Sequence, residues 1–353
     1  MSFSPGVRKN FTAQLLKWHF EENRRELPWK NEQDPYKIWL SEIILQQTRA
    51  EQGRPYYESF VRNYPNVHQL AQAPEDEVFR LWQGLGYYNR CRNLLAAART
   101  ISEEYKGHFP DTYEGILSLK GVGSYTASAI ASFAYNLPHA VLDGNVYRVL
   151  ARYFAIDQPT DTPDSKKLFQ QLAEQLLDAQ QPAAFNQAIM DFGSSVCKPK
   201  APLCSACNLS SQCVAFKKDM VDLLPLKKKK LIIKERHLHY FILLYGNEIY
   251  IQQRVQKDIW QSLYEFFLVE TEGNYQTDQL WQHVTNHVSE TAENAFSSKQ
   301  RLTHQLIIST FHILNLHSKP HSLTDGIWVK KDSLKNYAFP KTILSFLNRK
   351  KYF

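Results

Sequence analysis

The sequence predicts a mainly α N-terminal region, residues 1–221, joined through a basic linker, 222–235, to a smaller α+β domain, 236–353. Three observations predict this. From about residue 10 to 196, apolar residues recur at spacings of three and four, the period of one helix face. The stretch "VDLLPLKKKKLIIKERH" then places Pro225 ahead of a lysine run, which reads as a solvated linker. Beyond it the texture changes to short runs rich in β-branched and aromatic residues.

The helical elements are "NFTAQLLKWHFEENRR" (10–25), "YKIWLSEIILQQT" (36–48), "EDEVFRLWQGL" (75–85), "CRNLLAAARTISEEY" (91–105) and "KKLFQQLAEQLLDA" (166–179). In the second half, "HYFILLY" and "EIYIQQRV" are joined by Gly246-Asn247, a hairpin signal. "EFFLVE" and "QLIISTFHIL" predict further strands, and "QLWQHVTNHV" (279–288) and "KTILSFLNR" (341–349) predict helices. With 43% hydrophobic and 22% charged residues the chain is globular, and its net charge of +7 favours a polyanionic partner. No apolar signal core opens it and no eighteen-residue apolar run interrupts it. A reducing compartment is therefore expected, where clustered thiols are metal ligands more readily than disulfides.

Four of the five cysteines, Cys197, Cys204, Cys207 and Cys213, follow C-x6-C-x2-C-x5-C. One C-x2-C pair is half of a common zinc pattern. Four thiolates with unequal gaps in one loop suit a cubane cluster better, each cysteine holding one iron. Lys198 and Lys200 in that loop could reach phosphate. Upstream, "LKGVGSYTASAI" puts Gly121, Val122 and Gly123 between helical "YEGILS" and a helix of small residues. A tight turn there presents N–H groups at a helix N-terminus, and the pattern is a helix-hairpin-helix that grips a DNA phosphate without reading sequence.

Two carboxylates complete the picture. Asp143 precedes the apolar stripe Val146, Val149, Leu150 and Tyr153, so taken alone it is an ordinary N-cap. Its position after the hairpin would also aim it near a bound phosphate, where it could stabilise a cation developing on a sugar. Glu42 shares a helix face with Ile38 and Leu45, an apolar setting that would raise its pKa; taken alone it could equally be a surface glutamate. Together they match glycoside chemistry: an acid for the leaving group, a carboxylate for the oxocarbenium-like centre.

These stretches resemble the helix-hairpin-helix DNA glycosylase superfamily, in its endonuclease III-like branch with a C-terminal iron–sulfur loop. "LKGVGSYTA" and "VLDGNVYRVLAR" carry the likeness together with the cysteine spacing. "LPWKNEQDPYKIWLSEIILQQTRAEQGRPYY", "LWQGLGYYNRCRNL" and "FNQAIMDFGSSVC" look like signatures of the MutY adenine glycosylases within it. The resemblance is strong over about 10 to 225 and weaker beyond.

The resemblance implies a helix-hairpin-helix glycosylase domain holding a [4Fe-4S] cluster on Cys197, Cys204, Cys207 and Cys213, followed by a NUDIX-like domain. It implies that Glu42 protonates N7 of an extruded adenine and that Asp143 stabilises or captures the sugar cation, with Asn145 orienting water and sugar. Gln47 and Tyr87 would fill or wedge the base stack beside Thr48, and Gly121, Val122 and Gly123 would hold the phosphate; read alone, Trp29, Gln47 and Tyr87 are ordinary core or surface residues. Tyr125 stands where lyases of the branch carry a lysine, so a monofunctional enzyme is implied, with the phenol packing on the flipped base. Lys30 replaces a common arginine, keeping charge without the planar fork.

The NUDIX-like part lacks the paired-glutamate phosphohydrolase box. Its lesion-reading loop, of Phe-Ser-His type in relatives, corresponds here to Leu302, Thr303 and His304. The implied partner is double-stranded DNA with A:8-oxoguanine or A:G mispairs; a monomer without membrane contact is expected, and the lack of a transit peptide favours a bacterial cytoplasm, at the nucleoid. The rivals are a glycosylase/lyase for oxidised pyrimidines and a noncatalytic damage-binding protein.

Overall fold

A computed structural model describes residues 4–228, 233–271 and 293–352. By contacts the chain forms two compact units, one of residues 1–72 and 93–229, the other of 73–92 and 230–353. The expected boundary at 221 is thus not the only cut, because the short segment 73–92 groups with the C-terminal residues.

In the first unit, helix α1 (Pro5–Glu21) starts with proline at its first turn, where a missing N–H costs nothing, and buries Phe11, Leu15, Leu16 and Trp18. Helix α2 (Pro35–Leu45) is capped by Asp34, which accepts from the Tyr36 N–H, and is buried from Ile38 through Ile44. Helices α3 (Ala50–Asn63) and α4 (Val67–Gln72) follow, then α6 (Asn89–Glu103), whose first turn belongs to the 73–92 segment and whose remainder, from Asn93, belongs to this unit. The short α7 (Tyr113–Leu117) is capped by Thr112 and turns into α8 (Ser124–Tyr135). Thr126 to Ser132 of α8 are all buried, and their small side chains let α8 lie closely on α2. Helices α9 (Gly144–Tyr153), α10 (Pro163–Leu176) and α11 (Pro182–Ser195) close a core of Phe11, Val149, Leu150, Phe169, Phe185 and Phe192. The cysteine loop then runs into α12 (Val214–Lys217).

The first part of the expected solvated linker is held to this unit instead. Leu224 is buried and its carbonyl accepts from Arg152 Nε; the Leu226 carbonyl accepts from the Thr160 N–H, and the Lys228 N–H donates to Asp161. Burying Leu224 and satisfying these groups holds the stretch in place while Lys227 and Lys228 stay exposed and hydrated.

In the second unit, α5 (Glu75–Trp82) buries Val78, Phe79 and Trp82. The Phe339 N–H donates to Gln83 and Arg92 donates to the Gln261 carbonyl, so 73–92 is bonded to the C-terminal residues. Among the described residues seven strands form one sheet: β1 (Lys234–Tyr245), β2 (Glu248–Gln253), β3 (Tyr264–Glu265), β4 (Phe267–Thr271), β5 (Glu293–Arg301), β6 (Gln305–Asn315) and β7 (Gly326–Lys330). The path is β3-β2-β1-β6-β5, with β4 also on β1 and β7 on β2. Strands β1 and β6 run parallel, while the Gly246-Asn247 hairpin sets β1 antiparallel to β2, with Gly246 at a φ of 57°.

Where one strand was expected over "EFFLVE", the chain switches partner: β3 pairs with β2 and β4 with β1. Phe266 at the break is buried against Phe339 and Phe346. Strands β5 and β7 were not expected; "SSKQR" and "GIWVK" show no apolar alternation long enough to mark them. The final helix, α13 (Lys341–Arg349), stacks Phe346 on Phe311 at 4.6 Å. The helix expected at 279–288 lies outside the described residues. Among the described residues no helix is long and apolar enough to cross a membrane.

Candidate active site

A cavity of about 1030 Å³ in the first unit collects residues from α2, α8, α9, α11 and the loop before α2. Six residues expected from the sequence line it: Glu42, Gln47, Thr48, Tyr125, Asp143 and Asn145, and Trp29 joins them.

Glu42 points from the middle of α2 and is only 6% exposed. Burial pushes its carboxyl up to about 7; a hydrogen bond from the Tyr125 phenol opposes the rise and nearby Asp143 adds to it. Tyr125 occupies the first turn of α8, and burial, with Glu42 beside it, raises its phenol well above the ordinary value. It therefore stays neutral and able to donate.

Asp143 caps α9. Its Oδ1 accepts the N–H groups of Asn145 and Val146, both at 2.8 Å, and its Oδ2 accepts from Asn145 Nδ2 at 2.7 Å. Burial raises this carboxyl too, while the Val146 and Asn145 donors and the Arg148 guanidinium favour the anion. The two acids are thereby distinguished: burial pushes the Glu42 carboxyl up to about 7, whereas Asp143, at a helix N-terminus, has three N–H donors that favour its anion against burial. The Asn145 amide has only one orientation open to it, because Arg148 Nη2 donates to its Oδ1 at 2.7 Å. Arg148 also donates to the carbonyls of Gly193 and Cys197, at 2.6 and 2.7 Å. Gly193 has to lack a side chain, since a Cβ there would lie 2.7 Å from the Asn145 Cβ.

Gln47 sits just past α2 at a φ of 55°, a left-handed conformation unusual for a side-chain-bearing residue. The Thr48 N–H closes that turn on the Leu45 carbonyl at 3.0 Å. In the hairpin, Gly121 has a φ of 83° and a Cβ on it would meet the Asn93 Cβ at 2.6 Å, so only glycine fits. Val122 is buried, and Gly123 is the exposed N-cap of α8.

Lys30 does not line the cavity. Its ammonium lies 3.2 Å from Asp191 and 2.9 Å from the Arg25 carbonyl. The three remaining expected residues belong to the second unit. Tyr87, 47% exposed at a φ of 49°, is bonded through its hydroxyl to Thr303 Oγ1 at 2.7 Å. Thr303 and His304 are exposed on the loop between β5 and β6, and the His304 carbonyl accepts from the Lys234 N–H.

Cys197, Cys204, Cys207 and Cys213 line one further cavity in the first unit, walled by Val149, Phe192, Leu203 and Leu209. Burial pushes the Cys207 thiol up to about 11, and the other three sulfurs add to the rise. Among the described residues no three such side chains converge as ligands of a single metal ion. Four thiols around one apolar space fit a larger group held at separate corners. Asp191, Arg148 and Arg25 were missed from the sequence. A lone acid in "FNQAIMDFGSS" and a lone arginine within the apolar stripe of α9 were the signals that could have found the first two.

Comparison with known proteins agrees with the geometry. Residues 40–189 match the model of the HhH-GPD superfamily base excision DNA repair proteins, and 239–349 match the NUDIX domain. Adenine DNA glycosylase of Buchnera aphidicola subsp. Acyrthosiphon pisum (strain APS) is 30% identical over 343 residues, spanning 96% of each chain. The enzyme of that name from Mus musculus is 44% identical over 218 residues, 59% of this chain and 42% of the mouse protein. A non-covalent endonuclease III–DNA complex shares the fold, with a TM-score of 0.54 at 20% identity over 62% of this chain and 99% of that one. With an HhH-GPD match over the helical part, a NUDIX match beyond it and adenine DNA glycosylases similar along nearly the whole length, the chain belongs to the MutY family of adenine DNA glycosylases, DNA-binding enzymes of base excision repair that hydrolyse N-glycosidic bonds.

Proposed function

We propose that this enzyme excises adenine opposite 8-oxoguanine, and opposite guanine, from duplex DNA as a monofunctional glycosylase. The observation that carries it is the pairing, in one cavity, of Glu42, whose carboxyl burial pushes up to about 7, with Asp143, which accepts three hydrogen bonds, and with a phenol where an amine would make a lyase.

The target adenine must leave the stack, since its glycosidic bond is otherwise enclosed by neighbouring bases. Glu42 then gives its proton to N7 as the C1′–N9 bond breaks and the bonding pair leaves with the base. Positive charge grows on the sugar, and Asp143 stabilises or briefly captures it. Water adds to C1′ and its proton returns to the Glu42 carboxylate. Asn145, fixed by Arg148, orients water and sugar. Tyr125 donates to Glu42 and packs on the flipped base. Among the described residues lining the cavity there is no lysine to form a Schiff base.

On DNA, Gly121, Val122 and Gly123 grip a phosphate, while Gln47, Thr48 and Tyr87 occupy the disturbed stack. Thr303 and His304 read the oxidised guanine, in a NUDIX-like region that binds without hydrolysing. The enzyme acts as a monomer. Cys197, Cys204, Cys207 and Cys213 hold a [4Fe-4S] cluster, which when bound supplies structural cross-linking of the loop. Purified protein should accordingly be brown and hold about four irons; stoichiometric zinc without iron, under anaerobic iron-replete growth, would count against this assignment.

The test of function is base release under single turnover from duplexes carrying A:8-oxoguanine, A:G or an oxidised pyrimidine. Adenine release should be fastest opposite 8-oxoguanine, and borohydride should trap little covalent protein–DNA adduct. Release of the oxidised pyrimidine with efficient trapping would make the enzyme a lyase, and no release from any duplex would make it a binding protein.

A further inference from the structure

Between Glu21, where α1 ends, and Pro35, where α2 begins, the chain has no helix or strand, yet Arg25, Leu27, Trp29, Asn31, Glu32 and Gln33 from this stretch form a wall of the active cavity. Local turns, such as the Lys30 N–H on the Leu27 carbonyl at 3.0 Å, shape it but do not anchor it. The anchor lies far away in sequence. Asp191 on α11 is fully buried, and its carboxylate accepts from Asn23 Nδ2 and Arg25 Nη1, both at 2.9 Å, with the Lys30 ammonium at 3.2 Å. Asn23 returns a bond by accepting the Arg25 N–H at 3.1 Å, and Lys30 donates to the Arg25 carbonyl. His19 faces the same group, 3.2 Å from Asn23 Nδ2. Met190 and Ser194, on either side of Asp191 along the helix, line the cavity themselves.

We infer that Asp191 is a positioning residue for base excision: its buried carboxylate clamps the 22–34 loop, and Lys30 acts through this clamp, not on a DNA phosphate. Burial alone would push the Asp191 carboxyl up, but Asn23, Arg25 and Lys30 outweigh it and hold it below the ordinary range, so the clamp is ionised wherever the enzyme works. Without the anion, Arg25 and Lys30 share one pocket with no counter-charge from Asp191. The loop then moves away from α11, and the close packing that buries Glu42 and keeps it protonated is loosened. The inference rests on the reading of Glu42 as the acid.

The test is single-turnover excision of adenine as a function of pH, using the full-length wild-type enzyme, Asp191→Asn and Lys30→Met. In the wild type the rate should fall as pH rises through about 7, because the acid must carry its proton. Asp191→Asn should excise about 10- to 100-fold more slowly at neutral pH. Its fall in rate should also begin at lower pH, as a hydrated Glu42 returns toward the ordinary carboxylate range. A loss of folded protein would lower the whole profile without moving it.

Lys30→Met should displace the profile in the same direction by less, and leave the dependence of duplex affinity on salt unchanged. A lysine on a phosphate would instead lower that slope by about one. Should Asp191→Asn fail to fold, Lys30→Met decides alone, since it keeps the Asp191–Arg25 pair. An unmoved profile in the folded variants, or a reduced salt slope in Lys30→Met, would overturn the inference. A wild-type profile without the fall near 7 would strike the Glu42 assignment instead, and the clamp would then stand or fall on the variants' rates.

Discussion

Glu42→Gln should slow adenine excision by about 10²- to 10⁴-fold, the range lost when a positioned general acid is removed. Glutamine preserves the shape of the side chain and can still accept the Tyr125 hydrogen bond, so the buried face of α2 should remain packed. What is lost is the transferable proton. The departing adenine would have to leave as an anion or take a proton from water, in a cavity built to keep one carboxyl protonated near pH 7. Duplex affinity should change little, because phosphate contacts dominate it. Single-turnover excision and equilibrium binding, measured on the same preparation, check both halves. Normal turnover by Glu42→Gln would end its assignment as the acid.

Asp143→Asn should slow excision by about 10²- to 10³-fold while leaving the protein folded, at a cost in stability of about 1–3 kcal/mol for the donor left unpaired. The separation of the two effects follows from the double use of this residue. As an N-cap it accepts the Asn145 and Val146 N–H groups through Oδ1, and asparagine caps a helix about as well as aspartate. As an anion facing the sugar it has no neutral substitute. The amide would in addition bring an NH₂ group toward Asn145 Nδ2, which now donates to Oδ2 at 2.7 Å, turning a bond into a clash of donors. Thermal unfolding and single-turnover rates on one sample distinguish the roles. If unfolding shifted greatly while the rate stayed normal, Asp143 would be a cap and nothing more.

Much of this arrangement was legible in the chain. The α2 stripe already placed Glu42 beside Ile38, and the stripe of α9 made Asp143 its first residue, because helix period and capping act over three or four residues. The hairpin glycines were visible for the same reason, since a φ of 83° at Gly121 is a local demand. Other features were not. "EFFLVE" is continuous in sequence but breaks at Phe266, because pairing with β2 on one side and β1 on the other depends on where those strands lie.

Lys30 shows the limit most plainly. Its charge, and its place in a familiar stretch, pointed outward to DNA, yet its ammonium is 3.2 Å from a buried aspartate 161 residues further on. By itself the sequence determined the stretches that form α1, α2, α5, α6 and α10, the cap of α9 at Asp143, which cysteines cluster, and which carboxylates stand on apolar faces, all of them consequences of neighbours within about a turn, while α3, α4 and α11 were not among its expectations. Only the tertiary structure decided that Glu42, Tyr125 and Asp143 share one cavity, that Arg148 holds Asn145 to the Cys197 carbonyl, and that Asp191 clamps the loop before α2. The reason is physical: a buried charge is placed by whatever donors packing brings to it, and those donors come from elements whose separation along the chain carries no local signal.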